Sequence, residues 1–120
     1  MTAHLPISKA SAEHYVWGGV CDGWHLVKGS GLSVIHERMP PGTHETRHHH
    51  ERARQFFFVL TGTLTLEVEG ATQTIAAGQG LEIAPLARHQ AINASPEPVE
   101  FLVVSAPTTR GDRIEGGSTP

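Results

Sequence analysis

The sequence predicts an all-β domain, arranged as a sandwich or a barrel, and three observations support this. Apolar residues recur with a period of two along most of the chain, which places one face of each segment in a core and the other in water. Thirteen glycines and eight prolines interrupt these segments at short intervals, as tight turns require. A length of 120 residues is typical of one domain with a single core.

The strands can be placed in order along the chain. The segments WHLVK and GLSVIHERM predict a hairpin around Gly29–Gly31. The segment MPPG is predicted to be a loop, because two prolines do not continue a hydrogen-bonded ladder. About ten short strands are expected in all, and the later ones are the segments QFFFVL, TLTLEVEG, ATQTIAAG, LEIAP, RHQAIN and VEFLVVS.

The segment QFFFVL departs from the alternation, with five successive apolar residues after Gln55. Such a strand is covered on both faces. Phe57 shares the face of Gln55 and is expected to wall the interior, whereas Phe56 and Phe58 are expected to pack outward. A central core strand explains this pattern, and so does contact with another subunit. We expect a homodimer.

Composition limits the class of function. The formal net charge of -3 argues against an electrostatic nucleic-acid binder. No window approaches the roughly 20 apolar residues of a membrane span, and the first twenty residues lack the pattern of a secretory signal. The lone Cys21 has no partner for an internal disulfide. We expect a cytoplasmic protein that binds neither nucleic acid nor membranes.

Histidines are concentrated in one segment, since four of the nine lie between residues 44 and 50. Alternate residues of a strand share a face, so His48 and His50 project together while His49 points away. Two imidazoles at this spacing can chelate one metal ion. His89, at the start of a later strand, is the expected source of a third.

Two segments resemble the sequence motifs of the cupin superfamily. GTHETRHHHERARQFFFVLTG is similar to the first motif, G-x5-H-x-H-x4-E-x6-G, and GQGLEIAPLARHQAIN to the second, G-x5-P-x-G-x2-H-x3-N. Gln55 stands where the first motif has a glutamate, and Ala84 and Leu86 replace the proline and glycine of the second. The positions that agree are Gly42, His48, His50, Gly62, Gly78, His89 and Asn93.

The resemblance implies a small single-domain protein with an antiparallel jelly-roll β-barrel over residues 30–106. Residues 1–29 would then form N-terminal strands or an arm that packs on a partner subunit. The polar C-terminal tail, residues 107–120, is expected to contribute little to the core.

The resemblance also implies a cofactor, one divalent transition metal per chain, which could be Fe, Zn, Ni, Mn or Cu. Carried over by position, the metal ligands are His48, His50, His89 and Gln55. An amide oxygen brings no negative charge, so an anionic substrate that chelates the metal could supply it. The alternative is that Gln55 does not bind the metal but forms a hydrogen bond with a water molecule or with one of the ligand histidines.

Further candidates lie close to the two motifs. His44 and Arg38 are candidate catalytic residues, and His36, Phe57 and Arg88 are candidates for a substrate pocket. His36 and Arg38 share one face of SVIHERM, so both face the interior or both face outward. Arginine suits carboxylate and phosphate groups.

Fold does not decide function, and three functions are compatible with the resemblance. The first is a metal-dependent enzyme acting on a small polar or anionic molecule, with dioxygenase-type oxidation favoured. The second is an isomerase or epimerase of a sugar or sugar phosphate. The third is a non-catalytic domain that binds a small molecule or a metal for sensing.

Overall fold

A computed structural model describes residues 4–116, which form eleven β-strands and no α-helix. The strands are numbered along the chain and form two antiparallel sheets. In spatial order, the first sheet contains β1 (Glu13–Trp17), β2 (Cys21–Lys28), β3 (Ser33–Met39), β10 (Val99–Ala106), β5 (Arg54–Thr61) and β8 (Gly80–Ile83). The second contains β11 (Arg113–Glu115), β4 (His48–His50), β9 (His89–Ile92), β6 (Thr63–Val68) and β7 (Ala71–Ala76).

The core lies between the two sheets. Alternate residues of β5 and β10, such as Val59 and Phe101, meet Leu64 and Leu66 of β6, and all four are buried. Burial of these apolar faces supplies the main driving force for the fold. The all-β jelly-roll prediction is confirmed, although strand pairing does not close the two sheets into a continuous barrel.

The chain passes from the first sheet to the second at Gly62, between β5 and β6. The φ angle of Gly62 is 81°, in the left-handed region that favours glycine. A Cβ atom there would stand 2.4 Å from the carbonyl oxygen of Pro98. Glycine is therefore required at position 62, the last position of the first motif, both by the dihedral angle and by the close approach of a neighbouring chain segment.

Among the described residues, the C-terminal segment supplies no side chain to the hydrophobic core, but it joins the second sheet. Arg113–Glu115 adds strand β11 to the second sheet beside β4, and the side chain of Asp112 is buried. Because this segment contains few apolar residues, hydrophobic patterning gave no sign of this strand. Residues 117–120 of the predicted tail lie outside the described residues.

The outer face of the first sheet carries the aromatic residues predicted to point outward. Phe56 is 41% exposed and, with Val104, lines a groove of about 450 Å³ whose rim includes Arg54 and Glu82. The homodimer stays a prediction, as does the cytoplasmic location. Within residues 4–116 there is no helix with the length and hydropathy needed to cross a bilayer.

Candidate metal centre

Three buried histidines meet on the inner face of the second sheet. His48 and His50 alternate along β4, and His89 of β9 is the cross-strand partner of His48. Their exposed fractions are 3%, 4% and 1%. One nitrogen from each ring lies within 4.8 Å of the others. Antiparallel pairing thus brings together two chain segments that are about forty residues apart in sequence.

Backbone carbonyl groups fix the orientation of all three rings. The Nδ1 atom of His48 donates to the oxygen of Thr46 at 2.8 Å, and Nδ1 of His89 donates to that of Ala87 at 3.0 Å. Nδ1 of His50 donates to the oxygen of Asp112 at 3.3 Å. Because a carbonyl oxygen only accepts, each Nδ1 carries the proton and each Nε2 keeps its lone pair.

The same surroundings keep the imidazoles neutral. Burial first, and then repulsion from His89, lower the pKa of His48 to about 3 and that of His50 to about 4. Burial likewise lowers the pKa of His89. Metal ions bind the neutral form of imidazole. The triad is therefore ready to bind a metal at neutral pH without first losing protons.

Two buried polar atoms at this site have no hydrogen-bond partner within residues 4–116: Nε2 of His89 and Oε1 of Gln55. Gln55 lies on β5 of the facing sheet, and its Nε2 donates to Oγ of Ser105 at 3.2 Å, which leaves the amide oxygen unpaired. Orphaned buried polar atoms are rare and require an explanation. Three imidazole nitrogens and an amide oxygen are a donor set that fits a divalent transition metal.

Two of the three histidines, His48 and His50, border a cavity of about 150 Å³ between the two sheets, called here the metal cavity. His48, His50 and Gln55 lie in its wall, and the ring of Phe57 lies 6.1 Å from that of His89. The complete lining is Tyr15, Ile35, Glu37, Glu45, His48, His50, Gln55, Phe57, Val103, Ser105, Thr109 and Arg113.

Two glutamates of the metal cavity were missed by the sequence analysis. Burial first, and then the nearby Glu45 carboxylate, raise the pKa of Glu37 to about 8, against the opposing charge of Arg113. Burial raises the pKa of Glu45 to about 7. A signal for Glu37 was present, since alternation in SVIHERM places it on the same face as the apolar Ile35 and Met39. Glu45 precedes β4, where no strand pattern applies.

Tyr15 and Arg113 enter the metal cavity from the two ends of the chain. The ring of Tyr15 lies across Gly23 of the neighbouring strand, where an added Cβ would stand 2.3 Å from Cζ of the tyrosine. Arg113 is the cross-strand partner of His50, so both side chains face inward. Only the pairing of terminal strands with the central strands brings these residues to the site.

Four candidates lie away from the metal cavity, and their predicted positions are corrected here. His36 and Arg38 share the outer face of β3, because Glu37 between them faces inward; His36 contacts Oε1 of Glu100 at 2.7 Å. Arg88 is exposed, lies just before β9 and is outside the lining of the metal cavity. His44 is exposed and lines a separate outer recess.

The raised pKa of Glu37 predicts a pH-dependent effect of Glu37→Gln on stability. The wild-type carboxyl keeps its proton in the folded chain up to about pH 8 but loses it near pH 4.5 when unfolded, so its ionisation destabilises the fold progressively between these values. We expect the variant to gain about 2–4 kcal/mol of unfolding free energy above pH 8, and little below pH 4.5.

Urea unfolding in the presence of a chelator, at pH 4.5 and pH 8.5, measures this difference. Glu97→Gln is the matched control, because Glu97 is exposed and its replacement should leave the stability unchanged at both values. Equal stability of Glu37→Gln and wild type at pH 8.5 would show that Glu37 ionises without cost in the folded chain.

Comparison with known proteins agrees with this architecture. The sequence matches none of the curated proteins with which it was compared. An RmlC-like cupin from Shewanella frigidimarina is similar in structure, with 19% identity, a TM-score of 0.80, and coverage of 92% of this chain and 96% of that one. A predicted oxalate decarboxylase from Thermotoga maritima shares 17% identity with a TM-score of 0.79, covering 87% and 100%.

A third similar structure is a cupin-superfamily sugar phosphate isomerase from Silicibacter pomeroyi, with 21% identity, a TM-score of 0.75, and coverage of 87% and 76%. At such identities the similarity concerns the fold. The family model for the cupin domain matches residues 35–105, a span that holds all three histidines and the strands that carry them. The chain therefore belongs to the cupin domain family.

Proposed function

We propose that this cupin is a divalent-metal-dependent enzyme that transfers a proton on a small anionic substrate, in an isomerase or lyase type of reaction. One observation carries the proposal: His48 and His50 of the triad line the metal cavity together with Glu37 and Glu45, two carboxyls whose pKa values burial raises to about 8 and about 7 in the chain without a metal. A general acid or base works best when its pKa is close to the pH of the reaction. Perturbed groups of this kind are typical of catalytic sites.

His48, His50 and His89 would hold the metal, with Oε1 of Gln55 as the fourth donor. A metal held by these residues would supply Lewis-acid chemistry toward an oxygen atom of the substrate. Because all four donors are neutral, the donor set itself does not offset the metal charge. A substrate that is anionic and binds through oxygen supplies this compensation, which favours acids over neutral molecules.

Glu37 is the proposed acid–base residue. Its carboxyl lies in the wall of the metal cavity and has no hydrogen-bond partner within residues 4–116, so a substrate can approach it. Burial raises its pKa to about 8 in the chain without a metal, and from this position it would donate a proton to the substrate and take one back after ionisation. Burial also raises the pKa of Tyr15, so its hydroxyl group stays protonated and serves as a hydrogen-bond donor.

Three apolar side chains contribute to the otherwise polar wall of the metal cavity. Ile35, Phe57 and Val103 form part of its wall, and Phe57 packs on Phe101 with ring centroids 5.9 Å apart. The same wall holds Glu37 away from bulk solvent, which is the main reason for its raised pKa.

Proton exchange with solvent tests the proposal. Protein loaded with Mn²⁺, Fe²⁺ or Zn²⁺ is incubated in D₂O with a panel of hydroxy acids, oxo acids and sugar phosphates, and NMR follows the replacement of C–H by C–D. We expect exchange in at least one compound. We expect Glu37→Gln to lower its rate about a hundredfold or more, with the metal content unchanged.

Oxygen uptake, measured in parallel, separates this function from the dioxygenase activity favoured by the sequence. Oxygen consumption without deuterium exchange would replace the proposal with oxidation. Binding of panel compounds with neither exchange nor oxygen uptake would favour a sensing domain. Exchange that proceeds equally in Glu37→Gln would remove Glu37 from the mechanism.

A further inference from the structure

Arg113 stands at the boundary between two cavities. Its side chain lines the metal cavity and also a recess of about 290 Å³ on the outer side, called here the outer recess. The outer recess is lined by Trp17, Gly18, His44, Glu45, Thr46, Arg113 and Glu115. Arg113 and Glu45 are shared by the linings of both cavities, so these two residues stand where the cavities adjoin.

Arg113 is the one cationic side chain, among the described residues, in the lining of the metal cavity. As the cross-strand partner of His50, it faces the same side of the sheet as the metal ligands. Its positive charge opposes the burial that raises the pKa values of Glu37 and Glu45. The same charge adds to the effect of burial in lowering the pKa of His89. The guanidinium group therefore acts electrostatically on both the glutamates and the triad.

Only some of the N–H donors of the Arg113 guanidinium group have a hydrogen-bond partner within residues 4–116. Nε donates to Oε2 of Glu115 at 3.0 Å, and Nη2 donates to the carbonyl oxygen of Thr46 at 3.4 Å. Of the five N–H donors of an arginine, three have no partner within residues 4–116. The contact with Glu115 shows that a carboxylate can reach this group from the outer recess, where both side chains are exposed to solvent.

We infer that Arg113 binds an anionic oxygen group, a carboxylate or a phosphate, at the far end of a substrate whose near end chelates the metal. This inference rests on the proposed function, which supplies the near end. The substrate class is then a small hydroxy acid or oxo acid with a second anionic group. Arginine holds such groups through paired N–H donors, and the three free donors provide them.

Glu115 competes with the substrate in this arrangement. Its carboxylate occupies Nε of Arg113 in the free chain, and the ion pair is exposed, with side-chain exposures of 38% and 59%. An exposed pair of this kind contributes little to stability. An incoming anion that binds the three free donors can therefore also displace the Glu115 carboxylate from Nε at small cost. Glu115→Gln is expected to strengthen anion binding roughly twofold to fivefold.

Calorimetric titration of the Zn²⁺-loaded protein tests the inference with three probes that share the same chelating hydroxy acid. Lactate has no second anionic group, malate adds a carboxylate, and 3-phosphoglycerate adds a phosphate. We expect Arg113→Gln to weaken binding of malate or 3-phosphoglycerate by about tenfold or more. Binding of lactate should change by less than about threefold. The probe with the larger loss identifies the second group as a carboxylate or a phosphate.

Arg88→Gln is the matched control, because it removes the same charge from an exposed position outside the metal cavity and should leave all three affinities unchanged. Equal weakening of all three probes by Arg113→Gln, or no weakening, would overturn the inference. So would failure of malate and 3-phosphoglycerate to bind more tightly than lactate in the wild type. The proposed function would survive each result, because metal content and proton exchange are measured independently.

Discussion

Replacement of His50 by alanine is expected to abolish tight metal binding. His50 contributes one of the three imidazoles whose ligand atoms lie within 4.8 Å of one another, and the remaining pair of histidines leaves the metal largely to water. We expect the affinity for Zn²⁺ to fall by about a hundredfold or more, beyond the loss typical of residues that only support a ligand. Elemental analysis of untagged protein, together with competition against a chelator, measures it.

His49→Ala is the matched control, since His49 lies between two ligands on the same strand but faces the opposite side. It should keep the wild-type metal content. Gln55→Glu should act in the other direction, because a carboxylate in place of the orphaned amide oxygen adds a negative charge to the donor set and tightens metal binding. Full metal content in His50→Ala would contradict metal binding by the three histidines. An unchanged Zn²⁺ affinity in Gln55→Glu would show that residue 55 is not a metal ligand.

Removal of the Asp112 carboxylate is expected to have the second-largest effect. Its two oxygens accept hydrogen bonds from the backbone amides of Glu51, Arg52 and Ala53, the loop that joins His50 to β5. Burial raises the pKa of Asp112, but these three hydrogen bonds outweigh it and the net shift is downward. In Asp112→Ala the amides lose their acceptor, and an unpaired buried N–H group is destabilising.

We expect Asp112→Ala to lower the thermal unfolding midpoint by roughly 5–15 °C and the Zn²⁺ affinity by about tenfold or more. The affinity falls because the loop and the Asp112 carbonyl that holds Nδ1 of His50 both lose their anchor. Circular dichroism with and without chelator, and chelator competition at a temperature where the variant is folded, measure the two effects.

Asp22→Ala is the control for loss of an aspartate. The Asp22 carboxylate contacts Nε2 of His14 at 2.8 Å on the outer face of the first sheet, where a solvent-exposed pair contributes little. The thermal unfolding midpoint and the Zn²⁺ affinity of Asp22→Ala should stay close to those of the wild type. If folded Asp112→Ala binds Zn²⁺ as tightly as wild type, Asp112 supports the fold without positioning His50.

Local sequence patterns were sufficient to predict the histidine pair. The spacing of His48 and His50 predicts that both side chains lie on the same face of a strand, since side chains alternate along any extended segment. His89 was expected as the third imidazole because it begins a later strand and also matches the histidine of the second motif, and the pairing of β4 with β9 places it beside His48. The direction of Phe57 followed from the same alternation.

Other features of the site were not predicted, for identifiable reasons. The alternation in SVIHERM allowed either face of β3 to point inward, and His36 and Arg38 were candidates only if their face was the inner one. Asp112 and Arg113 lie in a polar segment with no apolar period, so nothing in its sequence indicates that β11 pairs with β4. Tyr15 reaches the metal cavity only because its partner across the strand is a glycine.

The sequence by itself determined an all-β chain with a histidine pair on one strand face, because these properties depend on residues only a few positions apart. The tertiary structure alone decided which glutamates share the metal cavity, how the three imidazoles are oriented, and that Arg113 lies opposite His50. Each of these depends on pairing between distant strands and on burial. Both are properties of the packed chain, and local patterning does not encode them.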